Sequence, residues 1–377
     1  MKPGKKKEMP LRTRFRTSLF VVLIVQCCLL SSCNNEDAEA DLLIDNFLQK
    51  HHYFNASEDV YGSYKLNFGV EAMITYSIIS GKQDYIPDIE RFFLNRGYEF
   101  DDTVPYHSIP FSDPFYAFYL LRNDVSFTAP YVYECKRMFE EVSRTKEGAI
   151  CIHHEGRDAV LIDYLQDYAS RMARLGMITG NEAYYEECVS QFEIYRQLLR
   201  DEQSGLYSQG RGWLEDTLET SPGAWSRGQG WLIRGMVNSL ECIPCKTEAY
   251  DRLQEILAEF ADALLCRQDE AGMWHTLPHL DFESSEPEVS GTSMISYYIA
   301  KAVNAGMLKG SQYTKAAIRA ERAIHQYIDN EGNILNVSPG PGPLREIQSY
   351  RLPGKTNDGH GFPAVLLGLS GRFLVEE

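Results

Sequence analysis

Lys146-Glu147-Gly148-Ala149-Ile150, Gln203-Ser204-Gly205-Leu206-Tyr207, Glu270-Ala271-Gly272-Met273-Trp274 and Asn330-Glu331-Gly332-Asn333-Ile334 read as four copies of one device. Asp precedes three of them, at Asp201, Asp269 and Asp329, and the glycines lie 57, 67 and 60 residues apart. A glycine after a polar cluster suits a left-handed turn at a helix end, and the apolar residues behind it re-enter a packed interior. A second turn interleaves with the first: Gly81-Lys-Gln-Asp-Tyr85, Gly180-Asn-Glu-Ala-Tyr184, Cys245-Lys-Thr-Glu-Ala-Tyr250 and Gly310-Ser-Gln-Tyr313. Between them run amphipathic helical patterns at 164–175, 185–199, 250–265 and 313–328. The unit is therefore a helix pair of about 60 residues, too long for a tetratricopeptide-type superhelix of period near 34. Nearly six such pairs fit the chain. Six favour closure into a toroid, so the expected fold is a single all-α domain, an (α/α)6 barrel of six hairpins over residues 46–377.

Outward from the repeat, the N-terminus reads as an address. Four lysines and three arginines between Lys2 and Arg16 precede an apolar run, Ser18 to Leu30, that is short for a membrane span. Leu30-Ser31-Ser32-Cys33 follows and resembles a bacterial lipobox, in which small residues admit the processing peptidase and the cysteine sulfur takes the lipid. An ordinary signal peptide with an incidental cysteine is the alternative. The expected organisation is a lipoprotein signal peptide at 1–32, lipidation at Cys33, a polar acidic tether over 33–45, and a cell-envelope location facing the periplasm or the cell exterior.

Without residues 1–32 the chain keeps 30 Lys/Arg against 52 Asp/Glu, a net charge of −22. Nucleic acid is a poor partner for that surface, and membrane contact is expected only through the lipid. An anionic sugar is not excluded, because charges beyond a Debye length of about 8 Å are largely screened at physiological salt. Six cysteines beyond Cys33 are scattered without a disulfide pattern, and Cys242-Ile-Pro-Cys245 has no second pair with which to hold zinc.

Two stretches concentrate chemistry. Trp225-Ser226-Arg227-Gly228-Gln229-Gly230-Trp231 places an arginine between two of the four tryptophans. Indole faces stack on sugar rings and a guanidinium fork pairs with a carboxylate, although a tryptophan-rich core corner with a structural arginine has the same composition. Val160-Leu161-Ile162-Asp163-Tyr164-Leu165-Gln166-Asp167 opens a helix with Asp163 and Asp167 on one face. Spacing alone allows two solvated acids there as readily as a catalytic pair. His153 and His154 precede this helix. Adjacent histidines point apart and do not form a zinc site, but His154 can hydrogen-bond a ligand.

Leu161-Ile162-Asp163, Gly180-Asn181-Glu182-Ala183-Tyr184, Gly205-Leu206-Tyr207 and Trp225 to Trp231 occur in the order found in the unsaturated glucuronyl and unsaturated rhamnogalacturonyl hydrolases, glycoside hydrolase families 88 and 105. Gly272-Met273-Trp274-His275 and Glu288-Val289-Ser290-Gly291-Thr292-Ser293-Met294 also resemble family segments, and the likeness spans about Asn67 to Leu369. Leu161 stands where the family usually has Trp, and Ser208 and Gln209 where it often has His.

The resemblance implies an enzyme that removes a terminal 4,5-unsaturated uronic acid from lyase-generated oligosaccharides, with no metal or organic cofactor. It makes Asp163 the proton donor, Asp113 the upstream second acid, and His154, Trp225, Arg227, Trp231, Trp274 and His275 substrate-binding residues. Such chemistry needs Asp163 protonated near neutrality. Desolvation by Trp225, Trp231 and Tyr164, with repulsion from Asp167 or Asp113, is expected to raise its pKa against the helix N-terminus. A glycosidase acting on saturated uronides and a non-catalytic glycan-binding lipoprotein are the other readings. The former needs two carboxyls roughly 6.5–9.5 Å apart for inversion.

Overall fold

A computed structural model of the chain describes residues 36–50, 64–95, 116–117, 120–121, 128–351 and 357–375. Two compact units divide it at Glu39: residues 1–39, of which only the opening of one helix is described, and Ala40–Glu377. The helices are α1 (Glu36–Lys50), α2 (Tyr64–Ser80), α3 (Ile86–Asn95), α4 (Thr128–Glu141), α5 (Ile162–Thr179), α6 (Ala183–Leu199), α7 (Ser226–Leu240), α8 (Glu248–Leu265), α9 (Val289–Asn304), α10 (Ser311–Ile324), α11 (Ile347–Tyr350) and α12 (Gly361–Ser370).

The glycine turns form as their chemistry requires. Gly148, Gly205, Gly272 and Gly332 all adopt positive φ, between 72° and 100°. In each copy the residue that opens the turn donates its N–H to a carbonyl beyond it: Thr145 to Ala149, Asp201 to Leu206, Asp269 to Met273 and Asp329 to Asn333, at 2.8–3.0 Å. The preceding aspartates lock the loop from inside, accepting from the N–H of Ser204, Met273 and Asn333. In the second turn series Gly180 closes α5 at φ 70°, whereas Lys246 takes the same region at φ 70° in the copy that lacks glycine.

Burial separates the helices into two layers. α7 and α9 are buried along most or all of their length, as are α2, α5 and α12. These inner helices pack in succession, α5 on α7, α7 on α9, α9 on α12, and α12 back on α2. Each of α6, α8 and α10 pairs with the inner helix beside it and exposes its polar face. This is the (α/α)6 barrel. Arg234 stands inside the ring two helical turns after Arg227, with Nη2 on both Glu71 oxygens (2.6 and 2.8 Å) and Nη1 on Gln166.

One expectation is corrected here. Residues 36–45 are not a solvated tether but the first part of α1, because Ala40, Leu43, Ile44, Phe47 and Leu48 make one apolar face that is buried in the core. Phe47 stacks on Phe362 of α12 at 4.0 Å, and a Cβ on Gly69 of α2 would overlap its ring.

A three-stranded antiparallel sheet lies just before α5, in the order β1 (Ile152–His154), β2 (Arg157–Leu161) and β3 (Gly210–Arg211). Leu161 pairs with Gly210, and the N–H of Ile162 donates to Gln209 O at 3.0 Å. The sheet thus delivers the chain to the first turn of α5 in a fixed direction. Asp163 is in that turn.

Candidate active site

The first residues of the inner helices meet at one end of the ring. Ile162 of α5 lies against Gly228 of α7, and Gly291 of α9 abuts Ser226 and Arg227 so closely that a Cβ there would fall 2.0 Å from Ser226 Oγ. His360, at the head of α12, hydrogen-bonds the hydroxyl of Tyr64, the first residue of α2. Each helix start carries roughly half a positive charge, so five of them gathered together favour an anion.

Asp163 sits in this ring of helix starts. The residue as a whole is half-buried, but its Oδ2 is closed off from solvent and has no hydrogen-bond partner. Burial pushes its pKa up to about 7, while the Arg227 charge and its own backbone amide pull the other way. Desolvation is therefore the cause, as expected, but repulsion from Asp167 is not. Asp167 is held by Arg171, whose Nε lies 3.1–3.2 Å from both carboxylate oxygens. Arg171 stands four residues further along the same helix, so the Asp167 charge is partly met within its own helix.

Arg227 is fully buried, with a relative exposure of 0%. Its Nη1 donates to Ser290 Oγ (2.9 Å) and Ser338 O (2.8 Å), and its guanidinium lies 4.3 Å from the Trp225 ring centroid. Nε and Nη2 have no acceptor. Behind it, Glu288 caps α9 by accepting from Ser290 N, Ser290 Oγ, Gly291 N and Ser338 N. That carboxylate, with Asp358, offsets the cost of burying the cation. Gly340 (φ 78°) closes over it: a Cβ there would come within 2.8 Å of Nη2 and 3.3 Å of His360 Cε1.

The other expected site residues divide. Trp225 is beside Arg227, but it is buried with Leu277 and Tyr350 and donates its indole N–H to Ser338 Oγ, so the core-corner reading describes it better. Trp231, expected to bind substrate, is buried against Phe68 (4.9 Å) and Arg234. Trp274 and His275, also expected to bind substrate, are buried too. Trp274 is wholly buried, donating its indole N–H to Leu264 O, and His275 bridges Asp269 of the turn (2.8 Å) and Ser285 O of the segment that follows (2.5 Å). His154 is half-exposed on β1 and packs against Trp213, its ring tilted 34° to the indole with centroids 4.6 Å apart. Asp113 and Cys33 lie outside the described residues.

Sequence reasoning passed over Tyr64, Trp213, Tyr350, Asp358 and His360. Trp213 donates to Val160 O, three residues before Asp163. Tyr350 feels the Asp163 charge and is fixed by Leu344 N at 2.8 Å. The run Asn357-Asp358-Gly359-His360-Gly361, polar and turn-forming before an apolar helix, was the signal available for the last pair.

The model of Glycosyl Hydrolase Family 88 matches residues 43–371. The chain belongs to that family. Among individual relatives of this family 88 chain, the unsaturated rhamnogalacturonyl hydrolase YesR of Bacillus subtilis (strain 168) is 29% identical over 207 residues, 54% of this chain and 56% of that one. The unsaturated 3S-rhamnoglycuronyl hydrolase of Alteromonas sp. (strain LOR) is 25% identical over 52% of this chain and 47% of its own length. The matches therefore span about half the length of these curated relatives. In fold, the chain is similar to a possible GH105 member from Klebsiella pneumoniae, with a TM-score of 0.76 and 23% identity over 98% of this chain and 99% of that one. The unsaturated glucuronyl hydrolase of Bacillus sp. GL1 gives a TM-score of 0.67 and 16% identity over 89% and 95%.

Proposed function

We propose that this protein removes a terminal 4,5-unsaturated uronic acid from lyase-generated oligosaccharides by hydrating the C4=C5 enol ether. One observation carries the reading: among the described residues at the anion-favouring end of the barrel, Asp163 is a carboxyl with a buried oxygen that has no partner, and that burial pushes its pKa up to about 7. The names of the relatives support the substrate class.

The protonated Asp163 gives its proton to C4, and positive charge develops at C5 and the ring oxygen. Water adds at C5, its surplus proton returns to Asp163, and the hemiketal opens to free the aglycone. The substrate carboxylate on C5 is drawn to the helix starts and the Arg227 field, which offsets the cationic transition state that Arg227 alone would oppose. The exposed part of the Trp213–His154 pair provides stacking surface for the aglycone. A two-carboxyl glycosidase mechanism is less well served among the described residues, since Asp167, Glu288 and Asp358 are each tied to partners.

The test is to feed unsaturated disaccharides from a pectin, glycosaminoglycan or ulvan lyase and follow the enol-ether absorbance. Loss of absorbance with release of sugar supports the proposal, and binding without loss refutes it in favour of a glycan-binding protein. We also propose lipidation of Cys33 and a cell-envelope location, on the lipobox alone. Cys33→Ala should release the protein from the membrane fraction, and unchanged partitioning would refute it.

A further inference from the structure

The proton donor leaves the water unassigned: an oxygen must arrive at C5 with its lone pair forward. Three side chains outside the predicted set form a directed chain at the same end of the ring, close to Arg227. Asp358 Oδ1 lies 2.5 Å from His360 Nδ1 and 3.1 Å from the His360 backbone N, and His360 Nε2 meets the Tyr64 hydroxyl. The three close the ring between its last and first inner helices. Asn357 fixes the approach to Asp358, exchanging hydrogen bonds with the backbone of Ile334 at 2.8 and 3.0 Å.

The polarity of this chain is determined. His360 donation and Lys65, 3.6 Å away, hold Asp358 ionised, so it can only accept. His360 Nδ1 therefore carries the proton. Burial and the nearby Arg227 charge keep the ring neutral, so Nε2 is a bare lone pair. Tyr64 must spend its only O–H on that lone pair. What its oxygen has left for any further partner is acceptor capacity. Gly340 covers both His360 and Arg227, since a Cβ there would lie 3.3 Å from His360 Cε1 and 2.8 Å from Arg227 Nη2, so the chain that ends in Tyr64 runs past the guanidinium at the end of the ring that holds the helix starts.

We propose that Tyr64 holds the attacking water by accepting one of its hydrogens, with His360 and Asp358 as positioning residues that keep the phenol turned into an acceptor. The proposal rests on the reading of Asp163 as proton donor. The chain keeps all its own protons. Water oxygen bonds to C5 after Asp163 has protonated C4, and the added water's proton passes to the Asp163 carboxylate.

Tyr64→Phe and Asp358→Asn test this with the unsaturated disaccharide that the native protein consumes. Tyr64→Phe should lower kcat on the order of 10²-fold, the cost of a misplaced reactant, with KM within threefold and an unchanged melting temperature. Asp358→Asn lets His360 take the Nε2–H tautomer and turn the Tyr64 hydroxyl into a donor, so kcat falls in the same way. The double variant should be no slower than Tyr64→Phe, because both changes remove one function. The proposal is overturned by a Tyr64→Phe kcat within threefold of native, by a loss confined to KM, or by single losses that multiply. If Tyr64→Phe melts early, the split between kcat and KM in Asp358→Asn decides instead. A native protein that leaves the enol ether intact overturns the Asp163 reading and this proposal together, whereas an active native protein with an unaffected Tyr64→Phe sinks only this one.

Discussion

Replacing Asp163 by Asn should abolish turnover and make the protein more stable, and the gain should depend on pH. Asp163 titrates at about 7 in the fold against 3.8 for the free side chain. The folded value is raised, so its contribution to stability is complete below the unfolded pKa and is lost as pH rises from about 4 through about 7. Above that range the fold carries an ionised, poorly solvated carboxylate. At 1.36 kcal/mol per pKa unit, the shift of roughly three units corresponds to about 4 kcal/mol. For a chain of this size, an unfolding entropy near 2.1 cal/mol/K per residue converts that to a melting shift on the order of 5 °C. Asn is nearly isosteric and does not titrate, so it escapes the penalty. Thermal melts of native and variant across pH 4.5–8.5 should show curves that nearly coincide at the acid end and separate up to neutrality. A constant difference, or a variant less stable at pH 8 than native, would show that Asp163 is not held neutral by burial and would remove the basis for its role.

Three further outcomes follow from the same contacts. In the native protein acting as proposed, kcat/KM should decline as pH rises through about 7, where Asp163 loses its proton, and Arg227→Gln should move that limb to higher pH because the guanidinium favours the carboxylate. An unmoved limb would uncouple the two residues. Glu71→Gln leaves Arg234 buried without its bidentate partner and should cost about 3–5 kcal/mol in denaturant unfolding; a loss below about 1 kcal/mol would mean that water or another acid replaces it. Trp213→Ala should raise KM for an oligosaccharide roughly threefold to tenfold through lost stacking, with kcat little changed, and equal KM values would take Trp213 out of the substrate path.

The legible parts were local. Gly148, Gly205, Gly272 and Gly332 marked the helix pairs because positive φ is a property of one residue and its turn. The helical periodicities carried α5, α6, α8 and α10 nearly to their ends, though α10 stops at Ile324 and gives way to a 3-10 turn at His325–Tyr327. The described part of the tether expected at 33–45 is helical from Glu36; acidic residues on one face of α1 outweighed, in composition, the buried stripe of Ala40, Leu43, Ile44 and Phe47 on the other. Trp231 and Trp274 were expected to bind substrate, yet both are buried; an indole that fills a core and one that faces a ligand are the same residue with the same spacing.

By itself the sequence determined the repeat, the helix-pair unit, and the position of Asp163 in the first turn of a helix, since each follows from φ preferences and 3.6-residue periodicity within a few neighbours. Only the closed ring decided the chemistry. Tyr64 and His360 are 296 residues apart, yet they share a hydrogen bond. Arg227 lies 111 residues from the carbonyl of Ser338 that holds it, and Asp163 becomes a neutral-range acid only when the surrounding helices remove its water. Desolvation and long-range pairing belong to the assembled barrel, so no stretch of chain can specify them alone.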